Sequence, residues 1–136
     1  MPVRVAIGGV PRAGKTTLSN MISSKPRRTD EIAFMGWSEA SAHAAEWFNE
    51  PGPWVVEGVA VVRALRKWLA ANPAGKPCDY LVWLGSPWLE LSKGQATMAK
   101  GCFTVWSEVK PQLKARGVIV IEDYVIPNHV IHVTSL

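Results

Sequence analysis

Gly9-Val10-Pro11-Arg12-Ala13-Gly14-Lys15-Thr16 decides the fold of this 136-residue chain, because it meets the phosphate-cradling pattern G-x-x-x-x-G-K-[ST] at every fixed position. Its flanks supply the context that the pattern requires. The apolar run Val3-Arg4-Val5-Ala6-Ile7 predicts a buried strand over residues 3–8, and Thr17-Leu18-Ser19-Asn20-Met21-Ile22 predicts a helix from Gly14 to about Ser23. Gly9 and Gly14 permit a tight turn that brings backbone N–H groups against phosphate oxygens. The start of the helix adds unpaired N–H groups and the positive end of its dipole. Lys15 would reach the β- and γ-phosphates of ATP, and the Thr16 hydroxyl would ligate Mg²⁺. Arg12, Ala13 and Thr17 complete the stretch expected to line the nucleotide. The alternative is a glycine turn between a strand and a helix in a protein that binds no nucleotide.

Outward from this unit, apolar runs alternate with helical stretches, which is the pattern of β-α-β units and predicts an α/β fold with a parallel sheet. An extended segment is expected over 27–30, and a helix over 38–49 with Ser38 as its N-cap, stopped by Pro51-Gly52-Pro53. Trp54-Val55-Val56-Glu57 and Tyr80-Leu81-Val82-Trp83-Leu84 read as strands, with a helix over 61–71 between them. A helical region from Trp88 to about Lys114 carries expected breaks near Gly94 and Gly101, and Val118–Ile121 is the last core strand, with Val130–Val133 as an edge strand. The length suits one domain over 1–136 that buries about two-thirds of its unfolded surface.

Composition narrows the partners. The formal charge is +4, with 48% hydrophobic and 19% charged residues, which suits an anionic partner in a globular protein. No run approaches the ~20 apolar residues of a membrane span, and the N-terminus lacks a signal-peptide core, so no membrane partner and a cytoplasmic location are expected. Cys78 and Cys102 stand outside any C-x-x-C or Cys/His cluster and read as buried thiols.

Ligands of open α/β sheets bind beyond the carboxyl ends of the strands, so the residues there are the candidates. Glu57 ends an apolar run and would join Thr16 in holding Mg²⁺ while also facing the substrate. Asp30 stands where a carboxylate can take the proton of an attacking hydroxyl, and equally where a turn residue or helix cap would stand. Arg63 and Arg66, three apart on the helix after Glu57, read as clamps for an acceptor's phosphate or as surface residues. Lys93 and Lys100, seven apart and each beside a glycine, suit a lid over about 86–101 that brings cations to the transferring phosphoryl group, or a solvated helix face. Gln95 and Thr97 are offered to a base or sugar. Trp54, Trp68 and Trp83 read as core, whereas Trp37 and Trp88 would pack in the core or stack on a base. Glu122 and Asp123 follow the last strand, and His43, His129 and His132 show no metal-ligand spacing.

The set Gly9-x4-Gly14-Lys15-Thr16, Thr29-Asp30, Val55-Val56-Glu57-Gly58, Asp79-Tyr80-Leu81-Val82-Trp83-Leu84 and the lysine-bearing segment resembles the small P-loop kinases of the nucleoside-monophosphate kinase group. The likeness runs over nearly the whole chain, and its specific part is the first element. It implies a three-layer P-loop NTPase fold with a five-stranded parallel sheet in the order 2-3-1-4-5 and helices on both faces. The chain departs from the group in carrying lysines where lids usually carry arginines, and in a compact acceptor region.

Thr29 through Gly36-Trp37-Ser38-Glu39-Ala40-Ser41, Lys93-Gly94-Gln95 and Thr104-Val105-Trp106 are also similar to small kinases of tailed bacteriophages. One branch of these, the 5-hydroxymethyluridine DNA kinases, phosphorylates a hydroxymethyl group on DNA bases. That resemblance implies ATP-dependent transfer to 5-hydroxymethyluracil in DNA, with Asp30 as the base, Arg27 and Arg28 along the DNA backbone and Trp37 against an extruded base. A kinase of free nucleosides or nucleotides and a non-catalytic nucleotide-binding module stay open as alternatives.

Overall fold

The computed structural model describes residues 2–122, in which the expected alternation becomes a five-stranded, all-parallel sheet with helices around it. Strands β1 (Arg4–Gly9), β2 (Arg27–Arg28), β3 (Trp54–Glu57), β4 (Tyr80–Leu84) and β5 (Ile119–Ile121) lie in the order β2-β3-β1-β4-β5. The helices are α1 (Lys15–Ile22), α2 (Trp37–Trp47), α3 (Val61–Ala71) and α4 (Lys93–Ala115). Asp123, His129, His132 and the segment Val130–Val133 lie outside the described residues.

The centre of the sheet explains the apolar runs. Ala6 and Ile7 of β1 are fully buried between β3 and β4, so both faces of the strand demand apolar side chains and no alternation appears. The register aligns Ile7 with Glu57 and Glu57 with Arg28, which sets the carboxyl ends of β1, β3 and β2 side by side. On α3, Val61, Val62, Ala64, Leu65, Trp68 and Leu69 turn one face inward. Trp68 and Trp83 are buried as expected, Trp83 stacking on Trp106 at 4.8 Å; Trp54 is half-buried and donates its indole N–H to the Glu50 carbonyl. Among the described residues no helix is long and apolar enough to cross a membrane.

Three local expectations give way. The extended segment ends at Arg28, and Thr29–Met35 forms a 3₁₀ helix instead, carrying Asp30 in its first turn. Helix α2 starts at Trp37 with Gly36 at its N-cap, so Ser38 lies inside the first turn. Helix α4 runs unbroken through Gly94 and Gly101 for 23 residues. Ser92 caps it reciprocally with Gln95, and Ala99, Cys102, Val105 and Trp106 are buried along it, which outweighs the ~1 kcal/mol that a helical glycine costs.

At the amino ends of β1 and β4, Asp79 accepts the Arg4 backbone N–H at 2.9 Å and its guanidinium at 3.2 Å, with Lys76 at 3.7 Å. Burial opposes ionisation of Asp79, but the hydrogen bonds and charge of Arg4, helped by Lys76, outweigh it and hold the carboxyl below its ordinary value. Cys78 next to it is buried, which pushes its thiol up to about 12, the state of an inert core thiol.

Candidate active site

The loop between β1 and α1 is shaped by two close approaches. A Cβ on Gly9 would fall 2.3 Å from the Leu84 carbonyl oxygen, so only glycine lets β1 leave the sheet beside β4, where Val10 N–H donates to that carbonyl at 3.1 Å. Arg12 and Gly14 both take left-handed backbone, φ 58 and 95, and the Arg12 carbonyl is held by the Trp88 N–H at 2.7 Å. Helix α1 begins with no side-chain cap at Gly14, leaving first-turn N–H groups facing the loop's concave side. Pro11 to Thr17 line a cleft of about 390 Å³ together with Asp30, Glu57 and Trp88.

Two buried charges stand at the floor of this cleft. Lys15 is only 8% exposed, and its ammonium donates to the Val10 carbonyl at 2.6 Å, folding back over the loop. Burial pushes it below its ordinary value against the pull of the Glu57 carboxylate. Glu57 is 1% exposed; burial first, then repulsion from Asp30, push its carboxyl above the ordinary range, while Lys15, Thr16 and Arg28 pull it back. The Thr16 hydroxyl donates to Glu57 Oε1 at 3.3 Å, and Arg28 Nε stands 3.3 Å from the same oxygen. A hydroxyl and a carboxylate oxygen side by side are the protein's share of a Mg²⁺ site that phosphate and water complete, so Thr16 and Glu57 fit that ion. Among the described residues no group of three or more His, Cys, Asp and Glu could hold a metal by itself.

Asp30 joins this cleft to a second cavity. It is exposed, it stands in the first turn of the 3₁₀ helix as the turn reading allowed though not as its cap, and among the described residues nothing hydrogen-bonds its carboxylate. The second cavity, about 180 Å³, is lined by Thr29, Asp30, Ala33, Gly36, Trp37, Ala40, Val59 and Ala60. Its wall is pressed against the end of β3: a Cβ on Gly58 would lie 1.7 Å from Thr29 Oγ1, a buried hydroxyl with no hydrogen-bond partner among the described residues.

The other expected residues fall in different places. Arg63 does not face the loop but lies over Trp37, its guanidinium carbon 4.7 Å from the ring centre. Arg66 points to α4 and pairs with Glu108 at 3.3 Å, which removes it from the site because the next turn of α3 faces the neighbouring helix. Arg28 is engaged with Glu57, Asn20 and Glu31, and Arg27 with Glu50 and the Trp47 ring, so both arginines are tied within the chain. Lys93 and Lys100 are exposed on the first turns of α4, and neither lines the cleft. Gln95 is consumed by the cap and the Thr97 hydroxyl donates to the Lys93 carbonyl, so neither is free for a base or sugar.

Sequence reasoning missed Thr29 and Gly58 as partners and Asn20 as the support of Arg28. Their apposition follows from the parallel register of β2 and β3, which no local spacing reveals. The Ser92–Gln95 cap was readable from its S-x-x-Q spacing. Trp88 stands at the cleft with its indole N–H buried and without a partner, a placement compatible with stacking on a base. No family model matches the chain, and no curated protein matches it.

Proposed function

We propose that this chain is a phosphotransferase of P-loop NTPase fold that moves the γ-phosphate of ATP to a hydroxyl group, with 5-hydroxymethyluracil in duplex DNA as its acceptor. The observation that carries the reading is Asp30, an unengaged carboxylate common to the walls of the loop cleft and the Trp37 cavity. The sheet order, the loop after the central strand and the Thr16–Glu57 contact support the nucleotide end. The acceptor end supports a hydroxyl rather than a phosphate, since among the described residues no arginine or lysine lines the Trp37 cavity and a phosphate there would meet Asp30.

In this reading Lys15 leaves the Val10 carbonyl for a phosphate oxygen, and the first N–H groups of α1 hold the β-phosphate. Thr16 and Glu57 would hold Mg²⁺, which when bound would supply positive charge against the phosphates. Asp30 accepts the acceptor's O–H proton. The freed oxygen forms a bond to the γ-phosphorus as the bond to the bridging oxygen breaks, and ADP leaves with that electron pair. Trp37 holds the acceptor ring so that its hydroxyl lies along this line.

The test is γ-labelled ATP with Mg²⁺ against duplex DNA carrying 5-hydroxymethyluracil, the unmodified duplex, and free nucleosides and nucleotides. Label on the modified duplex alone is expected, and label on a nucleoside monophosphate's phosphate would overturn the reading. A free nucleoside acceptor is the second reading, favoured by the engagement of Arg27 and Arg28, which leaves them unavailable to a DNA backbone. Label on nothing in the panel would return the chain to a nucleotide-binding module.

A further inference from the structure

The far end of the Arg63 side chain lies against Gly101 and Cys102 of α4. A Cβ on Gly101 would lie 2.9 Å from Arg63 Nη2, and the other guanidinium nitrogen stands 4.0 Å from the Cys102 sulfur. Cys102 in turn is fully buried beside the Val59 carbonyl at 3.7 Å, so the seat belongs to the rigid body of α4 and the turn after β3. From it the guanidinium reaches Trp37, which is 45% exposed and forms one wall of the 180 Å³ cavity. A partly exposed indole has several rotamers; a cation over its ring favours one of them.

The cavity states what it would accept. Ala33, Gly36, Ala40, Val59 and Ala60 give it apolar sides, and among the described residues that line it the one charge is Asp30. Thr29 closes the side toward Gly58, its hydroxyl buried against that glycine. Its volume lies below the roughly 300–1,000 Å³ of pockets for drug-sized ligands, which suits one ring rather than a whole nucleotide.

We propose that the Trp37 cavity is a one-ring site for an uncharged planar ring bearing a hydroxyl group, and that Arg63, seated at Gly101, is the positioning residue that sets its Trp37 wall. This rests on the phosphotransfer reading for the fate of the hydroxyl, whereas ring binding itself needs no ATP.

Calorimetry of the whole chain with free 5-hydroxymethyl-2′-deoxyuridine, without ATP, tests it. Trp37→Ala is expected to weaken binding by about tenfold or more, the loss of one stacked ring. Arg63→Met and Gly101→Ala should each weaken it by roughly three- to sixfold, the reach of one cation–π contact, with ATP affinity unchanged. Gly101→Ala improves helix propensity, so its loss of binding would not be a loss of fold. Trp37 emission, isolated by subtracting the Trp37→Phe spectrum, should become more quenchable by iodide in both variants, which a merely structural role of Arg63 would not produce. 5-Carboxy-2′-deoxyuridine, the same ring with a negative charge, should not bind.

No binding of the uncharged ring at millimolar concentration overturns the proposal, as does unchanged binding by Trp37→Ala or equal binding of the carboxylated ring. Wild-type affinity in both Arg63→Met and Gly101→Ala overturns the positioning role. Ring binding lost in Trp37→Ala by a protein that transfers no phosphate keeps the site and sinks phosphotransfer; transfer with an indifferent Trp37→Ala does the reverse.

Discussion

At the amino ends of β1 and β4, Arg4 and Asp79 meet in a hydrogen-bonded ion pair, and Asp79 ionises more readily than usual. At the carboxyl ends of the same sheet, Lys15 and Glu57 are buried among the core residues, yet each is pushed toward its neutral form. Among the described residues Lys15 has one carbonyl as acceptor for its ammonium, and a hydroxyl and an indole N–H nearby lack partners. One end has completed its electrostatics within the chain. The other has buried charges of both signs whose desolvation outweighs the contacts that Arg28, Thr16 and each other supply, which destabilises the free protein. The complement of these needs is an anion for Lys15 with a cation beside it for Glu57, and a metal-bound nucleotide is such a pair.

The largest test of that contrast is Lys15→Met. Transfer should fall by about a thousandfold or more, as when a positioned cation is lost from a phosphoryl site. Urea unfolding of the same variant should show a higher midpoint, because the cost of burying an ammonium is gone. A lower midpoint would break the comparison, since Lys15 would then be stabilising where it lies.

Asp30→Asn comes next. As the proton acceptor it should lower the transfer rate by roughly 10²–10⁴-fold while ATP affinity holds and the urea midpoint does not fall, the carboxylate being exposed, unbonded and repelled by Glu57. Unchanged transfer would remove Asp30 from the chemistry. Asp79→Ala should act the opposite way, costing about 1–3 kcal/mol of stability because Arg4 loses its acceptor, with transfer per folded molecule unchanged.

The smallest effect is in the pH dependence of stability. Folded Glu57 keeps its proton above the ordinary carboxylate value of about 4.3, where the unfolded chain has lost it, so stability should fall as pH rises through that window. Glu57→Gln should flatten this slope. Asp79 works in the other direction: the unfolded chain takes up its proton first below about pH 3.9, so stability is lost as pH falls toward the depressed folded value, and Asp79→Asn should remove that loss. Urea midpoints across the acid range read both slopes, and equal slopes in wild type and Glu57→Gln would deny Glu57 its raised value.

What could be read in the chain beforehand was what local pattern carries. The glycine loop between an apolar run and a helical one, the exact bounds of β3, α3 and β4, and the acid at the end of β3 all follow from residue type and short spacing. The failures share another cause. Gly101 looks like a helix breaker when read along the chain, but across space it is the room left for the Arg63 guanidinium. Arg63 and Arg66 look alike on one helix, and one turn decides that the first meets Trp37 and the second Glu108. The 3₁₀ helix over Thr29–Met35 has too few residues to show a period, so the setting of Asp30 was hidden while its chemistry was not.

Thr29 against Gly58 leaves no slack between β3 and the segment that carries Asp30. The gap between the two cavities acts as a fixed gauge, set by the Thr29 side chain meeting the bare backbone of Gly58. Evolution and design can then recut the outer jaw, residues 31–40, to admit a different ring without readjusting the loop that faces it. Retargeting becomes a local edit, and Gly58 is the one position on which such edits all depend.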